Sequence, residues 1–231
     1  MPITRFAPSL EQRLRAYHEL SSRAKSFAVE PSLKPAVTIS REFGCEAFPV
    51  AEEFVKLAEK VKGEEWLIVD ISLLDVVARE HNISENTMLS LGHKPKWLDE
   101  TFAALSPHWK SDSDYYRLLC EQVVMIATAG NAVFVGLGAA IITQSMANCF
   151  HFRLVAEREF RVKSISQRRG ITKQEAEIIV AEQGGEREKI IRKLLDADEH
   201  DPLYYHAVFN NSKLRNRRIA EIMANMVLTG H

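Results

Sequence analysis

The sequence has few features that would direct it to a membrane, to secretion or to a polyanion. Only three of its 231 residues are cysteine, and their wide spacing favours reduced thiols over a disulfide framework. Its longest apolar runs are too short or too interrupted by glycine to span a bilayer, and no apolar signal block follows the N-terminus. A formal net charge of −1 gives no overall attraction to nucleic acid or anionic lipid. The sequence therefore predicts a cytoplasmic protein with neither nucleic acid nor membrane as a partner.

The composition that is present belongs to a folded protein, with 46% apolar and 26% charged residues. Residues 1–35 form a predicted N-terminal extension with one amphipathic helix that ends before two prolines. We expect this helix to pack on the domain, on a second copy of the chain in a homodimer, or on another protein. The length of the remaining chain, residues 36–231, suits one domain with a single substantial core.

From residue 36 onward, short apolar runs alternate with amphipathic helical patterns. The strand-like runs are 37–40, 66–69, 132–135, 152–156 and 207–209. Apolar strands separated by helices indicate a parallel sheet covered on both faces. The sequence thus predicts an α/β fold with three α/β/α layers and a five-stranded parallel sheet. Residues 81–113 (polar and turn-rich) and 158–200 (charged and helical) interrupt the alternation.

Polar or glycine residues recur where the predicted strands end, which is where parallel sheets bind ligands. Four residues share this position: Arg41, Asp70, Gly136 and Asn210. Arg41 could contact phosphate or form an ion pair with a nearby glutamate. Asp70 could orient a ribose or base, hold Mg²⁺ through water, or cap the helix that follows it.

The first strand leads into a glycine turn that reads Arg41-Glu-Phe-Gly-Cys-Glu-Ala-Phe-Pro49. A phosphate-binding P-loop at this place has the form G-x-x-x-x-G-K-[ST], in which backbone N–H groups and lysine hold phosphate and a hydroxyl holds Mg²⁺. No Gly-Lys-Ser/Thr occurs anywhere in the chain. Glu46 instead brings a carboxylate to the start of the helix. It either complements the helix dipole or replaces phosphate as an internal anion.

Four stretches in this order resemble the cytidylate kinase-like family of P-loop nucleoside monophosphate kinase relatives. Ile39-Ser-Arg-Glu-Phe-Gly44 is similar to its opening I-S-R-E-[YF]-G, and Val69-Asp70 is similar to the end of its second strand. Gly130-Asn-Ala-Val-Phe-Val-Gly-Leu-Gly-Ala139 is similar to its G-x-[AP]-V-[IV]-V-G-R-G-A. Residues 152–169 and 208–214 resemble its strand–lid–strand ending.

The resemblance implies a P-loop kinase-like fold with a helical lid over residues 158–200 and an acceptor-binding subdomain in the 81–113 region. It also implies transfer of the γ-phosphoryl group of ATP, with Mg²⁺, to a nucleoside monophosphate or a similar small phosphorylated acceptor. Such catalysis rests on positioning and on the neutralisation of negative charge. The expected partner is therefore a nucleotide or another small phosphorylated molecule.

The matching positions imply roles for individual residues. Arg41 and the turn at Gly44 and Cys45 would contact the donor phosphates, and Asp70 would contact the acceptor. Two lid arginines, Arg161 and Arg187, would neutralise the transferred charge, although ion pairs with helix glutamates explain such arginines equally well. No residue is predicted as a direct metal ligand. The pair Gly184-Gly185 between the two lid helices would be either a hinge or a helix stop.

The chain departs from the family at charged positions. Where relatives show G-S-G-G-[RK], this chain has Gly44-Cys-Glu-Ala-Phe48. The arginine of V-G-R-G-A is Leu137, and the second lid arginine is Ser164. Two functions stay open: an ATP-dependent phosphotransferase with an unconventional loop, or an inactive pseudokinase that binds a nucleotide or a protein.

Overall fold

A computed structural model of the chain describes residues 11–18, 34–73 and 112–229. Residues 11–18 are helical and are called the N-terminal segment below. The strands are β1 (Ala36–Arg41), β2 (Leu67–Val69), β3 (Ala132–Val135), β4 (Cys149–Val155) and β5 (Ala207–Asn210). The helices are α1 (Ala47–Lys62), α2 (Asp112–Ala129), α3 (Ala139–Ile142), α4 (Arg158–Arg169), α5 (Lys173–Leu195) and α6 (Asn216–Leu228), with a 3₁₀ turn at Pro202–Tyr204.

The five strands form one parallel sheet in the order β2-β3-β1-β4-β5, which confirms the predicted fold class. The connection that follows β1 leads to β2 on one side, whereas the connection that follows β4 leads to β5 on the other side. The crevice of such a sheet lies where neighbouring strands send their connections in opposite directions. The carboxyl ends of β1 and β4 therefore border the place where this fold can bind a ligand.

The core lies on both faces of the sheet because successive side chains of a strand point to opposite faces. Val37 and Ile39 pack with α1 and α6 on one face, in a cluster that includes Phe54 of α1. Ala36 and Phe134 belong to the cluster on the other face, where α2 packs. Strands that are apolar on both faces require this double covering, as the continuous apolar runs predicted.

Helix α1 is amphipathic, and it ends at a glycine. Its buried residues Val50, Ala51, Phe54 and Ala58 recur at helical spacing on one side. Gly63 then adopts φ 69°, and its N–H donates to the carbonyl of Glu59. Glycine adopts this left-handed conformation at the end of a helix at lower cost than any residue with a side chain. The helix thus runs straight from the turn after β1 into the core.

Residues 158–200 contain two helices, as predicted, but the boundary between them differs from the prediction. Gly170, at φ 64°, ends α4, and a capping box of Thr172 and Glu175 begins α5. The prediction that Gly184-Gly185 separates the two helices is wrong, since both glycines lie inside α5. The capping box satisfies the first N–H groups of α5, whereas an interior glycine weakens a helix by only about 1 kcal/mol and need not end it.

The N-terminal segment packs on the domain, which is one of the three alternatives that the sequence left open for it. Tyr17 is fully buried in the cluster around α2, and Leu14 packs against the same cluster. The hydroxyl of Tyr17 donates to Oε1 of buried Gln122 at 2.6 Å. In the described ranges, no helix is both long enough and apolar enough to cross a lipid bilayer. The acceptor-binding region predicted at 81–113 lies outside the described residues, apart from residues 112 and 113 at the start of α2.

Candidate functional site

The turn between β1 and α1 lies directly against α4. The N–H of Cys45 donates to the carbonyl of Glu42 at 3.1 Å and closes the turn, while Gly44 adopts φ 100°. A Cβ atom at Gly44 would lie 2.6 Å from Cβ and 2.9 Å from the carbonyl oxygen of Arg161. Only glycine fits such a close approach. Helix α4 therefore fills the space beside Gly44 and leaves no room for a ligand on that side of the turn.

Arg161, one of the two predicted charge-neutralising residues, joins the turn to the start of α4. Its Nε donates to the carbonyl of Ala156 at 3.1 Å, and its Nη1 donates to the carbonyl of Phe43 at 3.5 Å. The carboxylate of Glu42 lies 3.5 Å from the same Nε and also accepts the N–H of Ala156 at 2.9 Å. The contacts of Arg161 are thus internal, while the side chain of Arg187 in α5 lies outside the described part of the structure.

The carboxylate of Glu46 is held by side chains from two other helices. Oε2 accepts from Nδ2 of Asn216 at 2.6 Å, and Oε1 accepts from the hydroxyl of Ser164 at 3.4 Å. The N–H of Glu46 donates to Oδ1 of Asn211 at 2.8 Å, and Asn211 in turn donates to Asn216. Glu46 is the N-cap residue of α1 but makes no side-chain capping bond. It therefore lies in a polar network, which the residue pattern alone did not indicate.

Arg168 adds a positive charge to this network, although the resemblance did not single it out. Its Nη2 donates to the carbonyl of Gly44 at 3.3 Å, and its Nε donates to the carbonyl of Ser164 at the same distance. Burial lowers the pKa of the Arg168 guanidinium, and the negative charge of Glu46 opposes that effect. A guanidinium keeps its proton in proteins. Arg168 and Glu46 therefore balance one another's charge beside the turn.

Cys45, predicted to contact a cofactor, has its thiol on the core side of the turn. Its sulfur lies 3.7 Å from the carbonyl of Leu154, and only 4% of the residue is exposed. Burial, and then the charge of Glu42, raise the pKa of the Cys45 thiol to about 12. Because the thiolate is the reactive form, this thiol is chemically inert at neutral pH.

Asp70, the predicted acceptor contact, follows β2 and has both oxygens occupied. Oδ1 accepts the N–H of Leu73 at 3.1 Å, and Oδ2 accepts the hydroxyl of Ser72 at 2.9 Å. The helix-cap interpretation of Asp70 is therefore confirmed. Oδ1 also forms an ion pair with Nη1 of Arg13 at 2.6 Å, and each of the two side chains is 10% exposed.

Arg13 was missed as a site residue by reasoning from the sequence. A signal was available, because Arg13 lies four residues before Tyr17 and so shares the inward side of the predicted N-terminal helix. The guanidinium carbon of Arg13 lies 5.8 Å from the ring centroid of Phe48 in the first turn of α1. The structure thus brings together a basic residue of the N-terminal segment, the end of β2 and the start of α1.

The other predicted strand-end residues have structural contacts. Arg41 is half-buried at the end of β1 and has interactions with the surrounding protein. The N–H of Gly136 donates to the carbonyl of Ile39 at 3.0 Å, which extends the pairing of β3 with β1. Oδ1 of Asn210 accepts the N–H of Ser212 at 3.0 Å and shapes the turn after β5.

The residues around the turn do not suit the phosphates of ATP and Mg²⁺. Phosphate needs free N–H donors and cations, but Glu46 contributes a carboxylate and Phe48 contributes a ring where lysine or arginine is expected. Mg²⁺ needs carboxylate or hydroxyl oxygens, whereas Asp70 already has three partners. Among the described residues, no group of three or more His, Cys, Asp and Glu side chains is placed to hold a metal ion.

A cavity of about 370 Å³ lies at the other end of the strands, near the amino end of β4. Cys149, His151 and residues 203–206 contribute to its wall. Nδ1 of His151 is 2.9 Å from the hydroxyl of Thr38, and burial lowers the pKa of His151 to about 4. This cavity is separate from the carboxyl ends of the strands, where the predicted site residues gather.

Three solved structures are similar to this chain, and the first of them shares its architecture. A crystal structure of an uncharacterized protein from Eubacterium ventriosum matches with a TM-score of 0.68 and 18% identity, over 85% of this chain and 99% of that one. Shikimate kinase from Bacteroides thetaiotaomicron matches with a TM-score of 0.44 and 12% identity, over 83% of this chain and 94% of that one. Dephospho-CoA kinase from Campylobacter jejuni matches with a TM-score of 0.34 and 12% identity, over 86% of this chain and 100% of that one.

No curated protein sequence matches the chain. The model of the cytidylate kinase-like family, however, matches residues 36–213, from the first residue of β1 to the turn after β5. This range contains the whole parallel sheet, the altered turn and both lid helices, and it leaves out the N-terminal segment and α6. With that much of the fold matched, the chain belongs to the cytidylate kinase-like family.

Proposed function

We propose that this kinase-like protein is a pseudokinase, a cytoplasmic binding module that has lost phosphoryl transfer. The observation that carries the proposal is the carboxylate of Glu46 at the start of α1, held by Asn216 and Ser164. Two unit charges about 4 Å apart repel by about 4 kcal/mol at an effective dielectric constant near 20. A donor phosphate at this helix terminus would meet that repulsion without a loop lysine to offset it.

The described contacts of Arg161 and Asp70 support the same proposal. Transfer requires charged groups that are free to contact the reacting phosphates. Arg161 binds carbonyl oxygens of its own chain, and Asp70 binds Arg13. These contacts stabilise the fold, and a ligand would have to break them before either side chain could act on it.

An active phosphotransferase is the second candidate, and one observation favours it. Arg161 and Arg168 both lie against the turn after β1, with Arg168 donating to the carbonyl of Gly44. Two guanidinium groups beside a helix N-terminus could bind ATP if α4 moved away from the turn. In that case ATP with Mg²⁺ would be the donor, and a nucleoside monophosphate or another small phosphorylated molecule the acceptor.

Ligand-dependent thermal unfolding, combined with a transfer assay, separates the two candidates. The purified chain is heated with Mg²⁺ and ATP, GTP, CMP, dCMP, AMP or UMP, singly and in pairs, and ADP formation is followed in parallel. A site filled at 100 times its Kd adds about 2.7 kcal/mol to the free energy of unfolding. We expect no ADP and no stabilisation by a nucleoside triphosphate. Stabilisation by ATP that one monophosphate increases, together with ADP formation, would contradict the proposal.

A monophosphate that stabilises the chain alone would identify the module as a nucleotide sensor. No shift with any nucleotide would direct the search towards a protein partner. Both results agree with a binding module, and they differ only in what it binds.

A further inference from the structure

The contact between Arg13 and the end of β2 has the composition of a binding site for a cation. The guanidinium of Arg13 lies between the carboxylate of Asp70, at 2.6 Å, and the ring of Phe48, at 5.8 Å from its centroid. A carboxylate attracts a cation by its charge, and the face of an aromatic ring attracts it through its quadrupole. Neither group attracts phosphate. The side chains at this place therefore select a positively charged group.

The geometry favours a guanidinium over an ammonium group. A guanidinium is planar, stacks on aromatic faces and is more weakly hydrated than an ammonium, so it costs less to bury. Arg13 is 9% exposed and therefore has lost most of its water. A compact ammonium in the same position would keep its charge but would be more strongly hydrated and would lack the planar fork that matches the carboxylate of Asp70.

The N-terminal segment has anchors that do not depend on Arg13. Tyr17 is 1% exposed and donates its hydroxyl to Gln122, while Leu14 packs on the cluster around α2. These contacts would hold the segment even with a shortened side chain at position 13. A substitution of Arg13 therefore tests recognition of the guanidinium separately from docking of the helix.

One donor of Arg13 is left unused in this arrangement. Its Nε is buried and has no hydrogen-bond partner. A buried donor without a partner costs free energy that a better-matched ligand recovers. The Arg13 side chain is thus well placed beside Asp70, but one of its donors is not satisfied.

We propose that the cleft formed by Asp70 and Phe48 is a recognition site for an arginine side chain on a helix, and that the N-terminal segment is its ligand within the same chain. The proposal rests on the proposed function as a binding module and names the ligand class of that module. The end of β2 would then bind a basic helix in place of the acceptor that the family resemblance implies.

The test is chemical rescue of Arg13→Ala in the full chain. Loss of a buried ion-pair partner leaves Asp70 unpaired, and we expect Tm to fall by about 5–15 °C. Ethylguanidinium at low millimolar concentration fits the vacated space, so it is expected to restore at least half of that loss. Ethylammonium at the same concentration is expected to restore much less. A purely structural arginine would show the loss without this selectivity.

Three variants complete the experiment. Arg15→Ala removes an exposed arginine from the same helix, and any loss in Tm is expected to show no difference in rescue between the two cations. Asp70→Asn removes the carboxylate and is expected to lower Tm without rescue by either cation. Arg13→Lys keeps the charge and loses the planar fork; it provides the measurement if Arg13→Ala does not fold, and is expected to be intermediate in Tm.

Equal rescue by both cations, or no rescue of a folded Arg13→Ala, would overturn the proposal. A gain in Tm of Arg13→Ala with CMP or another monophosphate, absent from the unmodified chain, would overturn it as well, since the cleft would then be an acceptor site. Each of these results is independent of ADP formation by the unmodified chain, which tests the proposed loss of transfer.

Discussion

At the scale of single residues, the start of α1 carries a carboxylate that side chains of two other helices hold in place. Glu46 lies at the N-terminus of a 16-residue helix, where an anion is favoured by the helix dipole. Its oxygens are bound by Asn216 and Ser164, and Arg168 supplies a nearby positive charge. An anion of the protein itself thus already interacts with the groups that would attract phosphate.

Replacement of Glu46 by Gln tests this exclusion of phosphate. The amide keeps the size of the side chain and can bond to Asn216 and Ser164, but it removes the negative charge. We expect the affinity for pyrophosphate to rise by at least about tenfold, which corresponds to about 1.4 kcal/mol. Isothermal titration calorimetry measures the affinity for pyrophosphate, with Glu53→Gln on the exposed side of α1 as the control. Equal affinities in the two variants would show that the Glu46 carboxylate does not keep phosphate away.

At the scale of elements, the turn after β1 and the two lid helices form one packed unit. Phe43 of the turn packs with Val162, Ile165 and Ala176 of the lid, and the guanidinium of Arg169 lies 6.0 Å from the ring centroid of Phe43. Gly44 touches the backbone of α4 directly. The position of α4 and α5 is therefore set by their contacts with the turn after β1. In an active relative, this turn would bind phosphate.

A pair of glycine substitutions measures the strength of this contact. Gly63→Ala introduces a side chain at φ 69° with no atom within 4 Å, so it reports backbone strain alone, about 1 kcal/mol. Gly44→Ala adds a clash with Arg161 at 2.6 Å, and we expect a further loss of about 1–3 kcal/mol. Urea unfolding gives both values. Similar losses in the two variants would mean that α4 does not press on the turn.

At the scale of the whole molecule, polar groups gather at both ends of the strands. The network of Glu46 and the contact between Arg13 and Asp70 lie at the carboxyl ends. The amino ends of the strands hold the buried His151, whose backbone N–H donates to Nδ1 of His206 at 2.9 Å. Desolvation by burial, and then the proximity of His206, lower the pKa of His151 from 6.5 to about 4. The pH dependence of folding therefore has a source far from the candidate site.

The free energy of unfolding should fall as the pH falls from about 6.5 to about 4, the pKa values of His151 in the unfolded and folded chain. The unfolded chain binds a proton at His151 below about pH 6.5, whereas the folded chain resists protonation down to about pH 4. The stabilisation is present above pH 6.5, and the full difference amounts to about 3 kcal/mol. We expect about 2 kcal/mol of it to be lost between pH 7 and pH 5.

His151→Asn provides the comparison, because its amide can keep the bond to Thr38 but does not titrate. Urea unfolding of both proteins at pH 7 and pH 5 cancels the contribution of the carboxylates that they share. The variant is expected to lose about 2 kcal/mol less than the unmodified chain over this interval. Equal losses would show that His151 binds its proton equally in the folded and unfolded states.

The sheet could be predicted because its signal is local and repeated. Each strand contains a short run rich in apolar and β-branched residues, and a helical pattern that ends at Gly63 follows the first of them. The departures of the turn from a P-loop were also readable, since they are the identities of consecutive residues from Gly44 to Phe48. The hinge or helix stop predicted at Gly184-Gly185, between the two lid helices, was wrong, because Gly170 and the capping box of Thr172 determine where α4 ends and α5 begins.

The partners of the site residues could not be predicted in the same way. Glu46 meets Asn216 across 170 positions of the chain, and Arg13 meets Asp70 across 57. Hydrogen bonds of this kind depend on which helix packs against which strand end. A local residue pattern does not encode which distant residues become neighbours. An arginine on the inward side of a helix was the one available sign that a buried carboxylate lies opposite it.

The sequence by itself determined the α/β class, the five strands, the family and the absence of the P-loop lysine, because periodicity and residue identity are properties of short segments. Only the tertiary structure decided that α4 covers Gly44, that Asn216 and Ser164 hold Glu46, and that Arg13 occupies the carboxylate of Asp70. The physical reason is that charge and hydrogen-bond partners are chosen by proximity after folding. What a strand end can bind depends on which distant side chains the fold places beside it.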